Sequence, residues 1–136
     1  MNCPACNNAM IVLELDMVEI DHCVKCGGIW LDHGELEQLF DDQRQADMVI
    51  DSFRKKETTG EKLRLCPICL KKMEKAAASD KIIIDRCSGH HGLWFDKNEL
   101  LQILTDNLLG KEHKVIKLLS EIFAKDSKDK GKNDGN

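Results

Sequence analysis

The residues best equipped for chemistry are seven cysteines and the histidines beside the last of them. Six cysteines form three Cys-x-x-Cys pairs, Cys3/Cys6, Cys23/Cys26 and Cys66/Cys69, and Cys87 stands three residues before His90. Between Cys6 and Cys23 lie 16 residues, and between Cys69 and Cys87 lie 17. Two short-spaced pairs about 15–20 residues apart are the pattern of a structural zinc site. The reason is geometric: a tetrahedral ion needs four donors in one place, a tight turn supplies two, and a hairpin brings the chain back with two more. The spacing predicts two structural Zn²⁺ ions, one held by Cys3, Cys6, Cys23 and Cys26, the other by Cys66, Cys69, Cys87 and His90.

The stretch CVKCGGIWLDHGEL (23–36) returns as CSGHHGLWFDKNEL (87–100). Cys23, Gly28, Trp30, Asp32, Glu35 and Leu36 recur as Cys87, Gly92, Trp94, Asp96, Glu99 and Leu100, and Cys26 is answered by His90. Cysteine and histidine both bind zinc, so the exchange itself points to a ligand position. His91, in the place of Gly27, offers an alternative Cys87-x3-His91 pair. The register of the repeat favours His90, which keeps the two-residue gap. Iron is open to the first set and less suited to the second, because histidine favours zinc. Thioredoxin-like chemistry needs a βαβ frame that is not visible. A catalytic zinc keeps one position for water, whereas four protein donors are available at each site, so an enzyme is not expected. His22, His33 and His113 read as surface or neighbouring residues rather than ligands.

These donors need elements to position them. MIVLEL (10–15) and MVEIDH (17–22) read as two strands of a hairpin turning at Asp16, which carries the chain from the first cysteine pair to the second. Asn7, Asn8, Gly27 and Gly28 allow the left-handed turns that such knuckles need. Trp30 and Leu31 are expected to cover the hairpin as a small core. Asp32 and Glu35 have the spacing of a capping box, which explains them better than acid/base chemistry does. A helix is expected from near His33, continuing through Phe53, with Leu36, Leu39 and Phe40 on one face. Thr58-Thr59-Gly60 makes the boundary. In the second copy, strands are expected over 73–79 and 81–86, then a core of Trp94 and Phe95. Asp96 and Glu99 cap the next helix, and Gly110 ends it. The periodicity of Val115, Leu118, Leu119 and Ile122 predicts a further amphipathic helix over 111–124, and the polar tail 125–136 reads as disordered.

Composition narrows the class. The odd cysteine count, and an N-terminus without a basic start and apolar core, argue against a secreted disulfide framework and predict a reducing cytoplasm. No apolar run reaches the length of a membrane span. Residues 1–60 carry 5 basic against 12 acidic side chains, and residues 61–136 carry 15 against 12. The net charge of −4 becomes about −7 once thiolates replace thiols around two zinc ions. Such a field repels a phosphate backbone.

From Cys-Pro-x-Cys to Cys-x-x-Cys-Gly-Gly-Ile-Trp-Leu-Asp-x-Gly-Glu-Leu, over residues 3–40 and again over 66–104, the chain resembles the small bacterial and archaeal zinc-ribbon proteins named for transcription factor IIB. The resemblance implies zinc ribbons with the seven cysteines as ligands, His90 standing where the family has a fourth cysteine. The expected fold is small, α+β and metal-bound, with two tandem zinc ribbons each followed by a helix. The expected divisions are a first ribbon and helix (1–57), a linker (58–63), a second ribbon and helix (64–110), an amphipathic helix (111–124) and a disordered tail (125–136). The expected work is non-enzymatic macromolecular recognition linked to transcription, through a protein partner docked on the apolar faces of the helices, with no membrane and no small-molecule substrate. The few aromatics favour this over base stacking on Trp30 and Trp94. The alternatives are nucleic-acid binding by Lys62, Arg64, Lys71, Lys72, Lys75 and Lys81, and a redox- or zinc-responsive regulator.

Overall fold

The structure, a computed structural model, describes residues 1–57, 62–107 and 113–134, with side chains of the C-terminal helix described as far as Asp126. In chain order it forms β1 (Ile11–Leu15), β2 (Val18–His22), β3 (Ile29–Asp32), α1 (Glu35–Gln38), α2 (Gln43–Ser52) and β4 (Arg54–Lys56). There follow β5 (Glu74–Ala77), β6 (Ile83–Arg86), β7 (Gly92–Phe95), α3 (Glu99–Asp106) and α4 (Lys114–Asp134). Over the described residues the strands build one antiparallel sheet in the order β1-β2-β3-β7-β6-β5-β4.

The first hairpin pairs from Leu15↔Val18 to Ile11↔His22. Its two-residue turn places Asp16 at φ 48° and Met17 at φ 71°, the left-handed geometry that matches strand twist in so short a connection. All four expected hairpin strands are present, shortened at their ends.

The two copies share one sheet. β3 pairs with β7 through Ile29↔Phe95, Trp30↔Trp94, Leu31↔Leu93 and Asp32↔Gly92. Trp30 and Trp94, equivalent in the two copies, therefore face each other across an approximate two-fold axis. Strand alternation then sorts the side chains. Ile29, Leu31 and Phe95 join a core with Leu36, Leu39, Phe40, Val49, Leu100, Ile103, Leu104, Leu119 and Phe123 from the helices. Trp30 and Trp94 face the other way, into a smaller cluster with Cys3, Cys23, Cys66, Cys87 and Met73. One face of the sheet is thus the helix side and the other the cysteine side. Each copy alone has little apolar surface to bury, and joining the sheets lets both contribute to one core.

Three sequence expectations change. The single helix through Phe53 is two, because Asp42 takes an extended backbone and its Oδ1 accepts from Arg44 N at 2.9 Å, capping α2 afresh. Phe53 is also extended, so the exposed Arg54-Lys55-Lys56 become the edge strand β4 against β5. Lysines along an exposed edge discourage further strand pairing. The boundary at Thr58-Thr59-Gly60 and the break at Gly110 lie outside the described residues.

The third change is at the C-terminus, where α4 continues beyond Ala124 into the stretch expected to be disordered. Its Asp126 is buried, and its Oδ2 lies 2.7 Å from Nε2 of the fully buried His22. Nδ1 of the same ring lies 3.0 Å from the Gly28 carbonyl. Two acceptors therefore flank one buried imidazole. Replacing Asp126 by Ala should cost about 1–3 kcal/mol, because it strands a buried polar partner. Urea unfolding of the zinc-loaded protein measures this, with the exposed neighbour Lys125→Ala as a control expected to shift little.

Candidate metal centres

Each centre is built on two tight turns. In the first, Asn7 N donates to Cys3 O at 2.9 Å and Cys3 N to Asn8 O at 2.7 Å, closing the knuckle that precedes β1. Gly27 N donates to Cys23 O at 2.8 Å and Cys23 N to Gly28 O at 3.0 Å in the knuckle between β2 and β3. Asn7 at φ 64° and Gly27 at φ 83° supply the left-handed residue directly after each second cysteine. The turns aim backbone amides at sulfur: Ala5 N and Cys6 N lie 3.3 and 3.4 Å from Cys3 Sγ, and Asn8 Nδ2 lies 3.0 Å from Cys6 Sγ.

The four sulfurs of this centre lie within 4.8 Å of one another. Cys3 and Cys26 are separated by 3.5 Å and Cys6 and Cys23 by 3.4 Å, close to the edge of about 3.8 Å for a tetrahedron with Zn–S bonds of about 2.3 Å. None of the seven cysteines is joined in a disulfide. Burial pushes the Cys3 and Cys26 thiols up. Burial opposes ionisation of Cys6 too, but the donors of Asn8 outweigh it and bring that thiol down to about 6. Zinc binding must therefore displace protons from the buried thiols.

The second centre repeats the first knuckle. Leu70 N donates to Cys66 O at 2.8 Å, with Leu70 at φ 63°, and Ile68 N lies 3.4 Å from Cys66 Sγ. Burial raises the Cys66 thiol to about 11, against amide donors from Cys69 and Ile68. The backbone N–H of Lys71 lowers Cys69.

The closing knuckle differs, and it corrects the expected ligand. The residues brought together are Cys66, Cys69, Cys87 and His91, with donor atoms all within 4.8 Å of one another. His91 Nδ1 lies 3.3 Å from Cys87 Sγ and 3.9 Å from Cys66 Sγ, bracketing the edge of about 3.6 Å expected for one Zn–S and one Zn–N bond. His90 is exposed and sits at φ 64°, with its N–H closing onto Cys87 O at 3.1 Å. In the other three knuckles the left-handed residue follows the second ligand; here it precedes it. Histidine tolerates that conformation better than most residues. His90 thus makes the turn, and His91 supplies the donor. The repeat register concealed this, because it aligns side chains by number and not by backbone conformation.

The donor sets suit zinc. Each supplies four soft or borderline protein ligands, tetrahedrally spaced, with backbone donors around the sulfurs, and they fit two structural zinc ions.

The acidic residues beside the centres have several tasks. Glu35 Oε1 accepts from Asp32 N at 2.7 Å and Glu99 Oε1 from Asp96 N at 2.8 Å, which is one half of the expected capping box. The other half is absent: Asp32 Oδ1 instead accepts from Trp30 Nε1 at 2.8 Å, and Asp96 Oδ1 from Trp94 Nε1 at 3.1 Å. A buried indole N–H needs a partner, and the two aspartates provide it. Gly34 and Asn98, both left-handed, lead into the helices without a side-chain cap.

The tryptophans also cross between copies. The indole of Trp94 lies over Gly28, and that of Trp30 over Gly92. Each is buried in a core, as expected, and adds a contact with the other copy's glycine at the two-fold axis. A further network joins the cysteine face: Lys75 Nζ lies 2.6 Å from Asp85 Oδ1, and Arg64 bridges Asp85 and Asp96. Burial pushes the Asp85 carboxyl up, and Lys75 and Arg64 hold it back.

A family model described as a transcription factor zinc-finger, of the TFIIB zinc-ribbon type, matches residues 2–42 and 65–106, together more than half of the chain. The matched segments coincide with the two copies of the repeat; α2, β4 and α4 lie outside them. No curated protein and no solved structure matches the chain. Among the described residues, no helix is long and apolar enough to cross a membrane.

Proposed function

Because this chain belongs to the transcription factor zinc-finger family, we propose that it is a non-enzymatic zinc protein that recognises another protein in a transcription-linked setting. The observation that carries the reading is that each metal set is complete with four protein donors. Zinc with no open position is a fold element and not a reaction centre, so the work falls to the surface that the two ribbons display.

The helix faces first expected to receive the partner are not that surface. Leu36, Leu39, Phe40, Val49, Leu100, Ile103 and Leu104 are all buried in the shared core. Of the ten large apolar residues exposed among the described residues, five lie near the knuckle end, Met1, Leu63, Leu65, Ile68 and Leu70. The nucleic-acid alternative loses ground on two counts. Lys75 is buried against Asp85 and Arg64 bridges two aspartates, and both tryptophans are fully buried and offer no base a face.

A salt titration separates the readings. Zinc-loaded protein should show no binding to mixed DNA or RNA at about 50 mM salt; binding that falls steeply as salt rises would replace the protein-partner reading with the nucleic-acid one. Mild peroxide should leave both metal sites filled, whereas release of zinc with altered partner binding would favour a redox-responsive regulator.

A further inference from the structure

The first knuckles of the two copies, around Cys3–Asn7 and Cys66–Leu70, flank one open cleft of about 1260 Å³. This exceeds the roughly 300–1,000 Å³ of small-molecule pockets, so its scale suits a stretch of polypeptide. Met1, Leu63, Leu65 and Leu70 line it, four of the ten large hydrophobic residues exposed among the described residues. Lys62, Arg64, Lys72 and Lys75 line it as well, and no carboxylate does so among the described residues. In a chain of net charge −4 that sorting is local and one-sided. Lys75 and Arg64 are committed to Asp85 and Asp96 behind the wall, which leaves Lys62 and Lys72, both exposed, as the cations at the opening.

We propose that this cleft binds a partner-protein segment in which aliphatic side chains are flanked by carboxylates. The inference rests on the protein-binding reading above and names the chemistry of the partner. The aliphatic lining takes the apolar side chains, and Lys62 and Lys72 meet the acidic ones. No aromatic residue lines the cleft, so a nucleic-acid strand finds charge there without a stacking surface. At Cys6, the one exposed cysteine of the first centre, the Asn8 amide donates to Sγ at 3.0 Å and meets part of the thiolate charge. Because both copies contribute walls, the cleft exists only where the ribbons are joined.

The test uses the full, zinc-loaded chain and fluorescence polarisation with four labelled probes: short leucine–glutamate, leucine–lysine and leucine–serine peptides, and a mixed-sequence oligonucleotide. The leucine–glutamate peptide should bind best. The Lys62→Glu/Lys72→Glu variant should weaken it roughly tenfold, as expected for two exposed charge contacts turned repulsive. Zinc content confirms that the variant folds, and Leu63→Ser, which changes no charge, should weaken the same peptide. Equal binding of the three peptides, no binding of any, or indifference to these variants overturns the cleft assignment and leaves the wider protein-binding reading standing. Capture of the oligonucleotide alone, lost in the charge-reversed variant, overturns both.

Discussion

Replacing His91 by Ala is expected to leave one zinc ion per chain, whereas replacing His90 by Asn should leave two. The difference follows from the closing knuckle of the second centre. Nδ1 of His91 lies 3.3 Å from Cys87 Sγ, and the side chain belongs to the donor cluster with Cys66 and Cys69. Without it three thiolates remain, with an open fourth position. Structural zinc contributes roughly 10–16 kcal/mol in small zinc peptides, so losing a ligand should lower retention and loosen the second ribbon together. Asn is the right replacement at His90 because it tolerates φ 64°; Ala there would add backbone strain to the comparison. Elemental analysis after gel filtration in metal-free buffer reads the result. Loss of the second ion from His90→Asn, with His91→Ala still fully loaded, would reverse the assignment.

The second large effect is expected at the junction of the two copies. A Cβ on Gly92 would stand 2.2 Å from the Leu31 carbonyl oxygen and 2.6 Å from Cζ2 of Trp30. One on Gly28 would stand 2.1 Å from Cζ2 of Trp94. The obstacles differ in kind. At Gly28 the three nearest atoms all belong to a side chain; at Gly92 the nearest is the backbone of β3, held by the pairing with β7. Gly92→Ala should therefore destabilise by about 3 kcal/mol or more, at the upper end of overpacking costs. Gly28→Ala should cost about 1–3 kcal/mol. The double mutant Gly28→Ala/Trp94→Leu should show strong favourable coupling, because trimming the ring makes room for the methyl, while Gly92→Ala/Trp30→Leu should recover little. Urea unfolding of zinc-loaded single and double mutants supplies the cycle. Equal rescue in both would mean that the Leu31 carbonyl is not the limiting contact.

The asymmetry between those glycines shows where sequence reasoning stops. Gly28 was legible as a knuckle residue, and Gly92 only as its counterpart in the repeat. Their contact with the other copy's tryptophan was not, since it depends on β3 meeting β7 in one register out of several. The same limit applies to Asp32 and Asp96. Their spacing to Glu35 and Glu99 signalled a cap, and the glutamates do reach back to the backbone. Only the packed tryptophans, each needing an acceptor for its N–H, diverted the aspartate side chains. Asp126 lay in a stretch whose composition reads as unstructured, and nothing near it in sequence marks the buried His22 it meets 104 residues away.

By itself, the amino-acid sequence determined the features governed by short-range chemistry. The cysteine spacing specified two metal sets, alternation specified the hairpins, and the repeat specified the ribbon-to-helix unit. These depend on residues a few positions apart or on a loop of defined length. The tertiary structure decided the rest: that two ribbons share one sheet, that the helices turn their apolar faces inward, and that the knuckle ends flank a common cleft. It also decided between neighbouring histidines, because one left-handed residue shifts which side chain faces the metal. Each of these turns on which surfaces gain most by meeting, and that comparison extends over the whole folded chain.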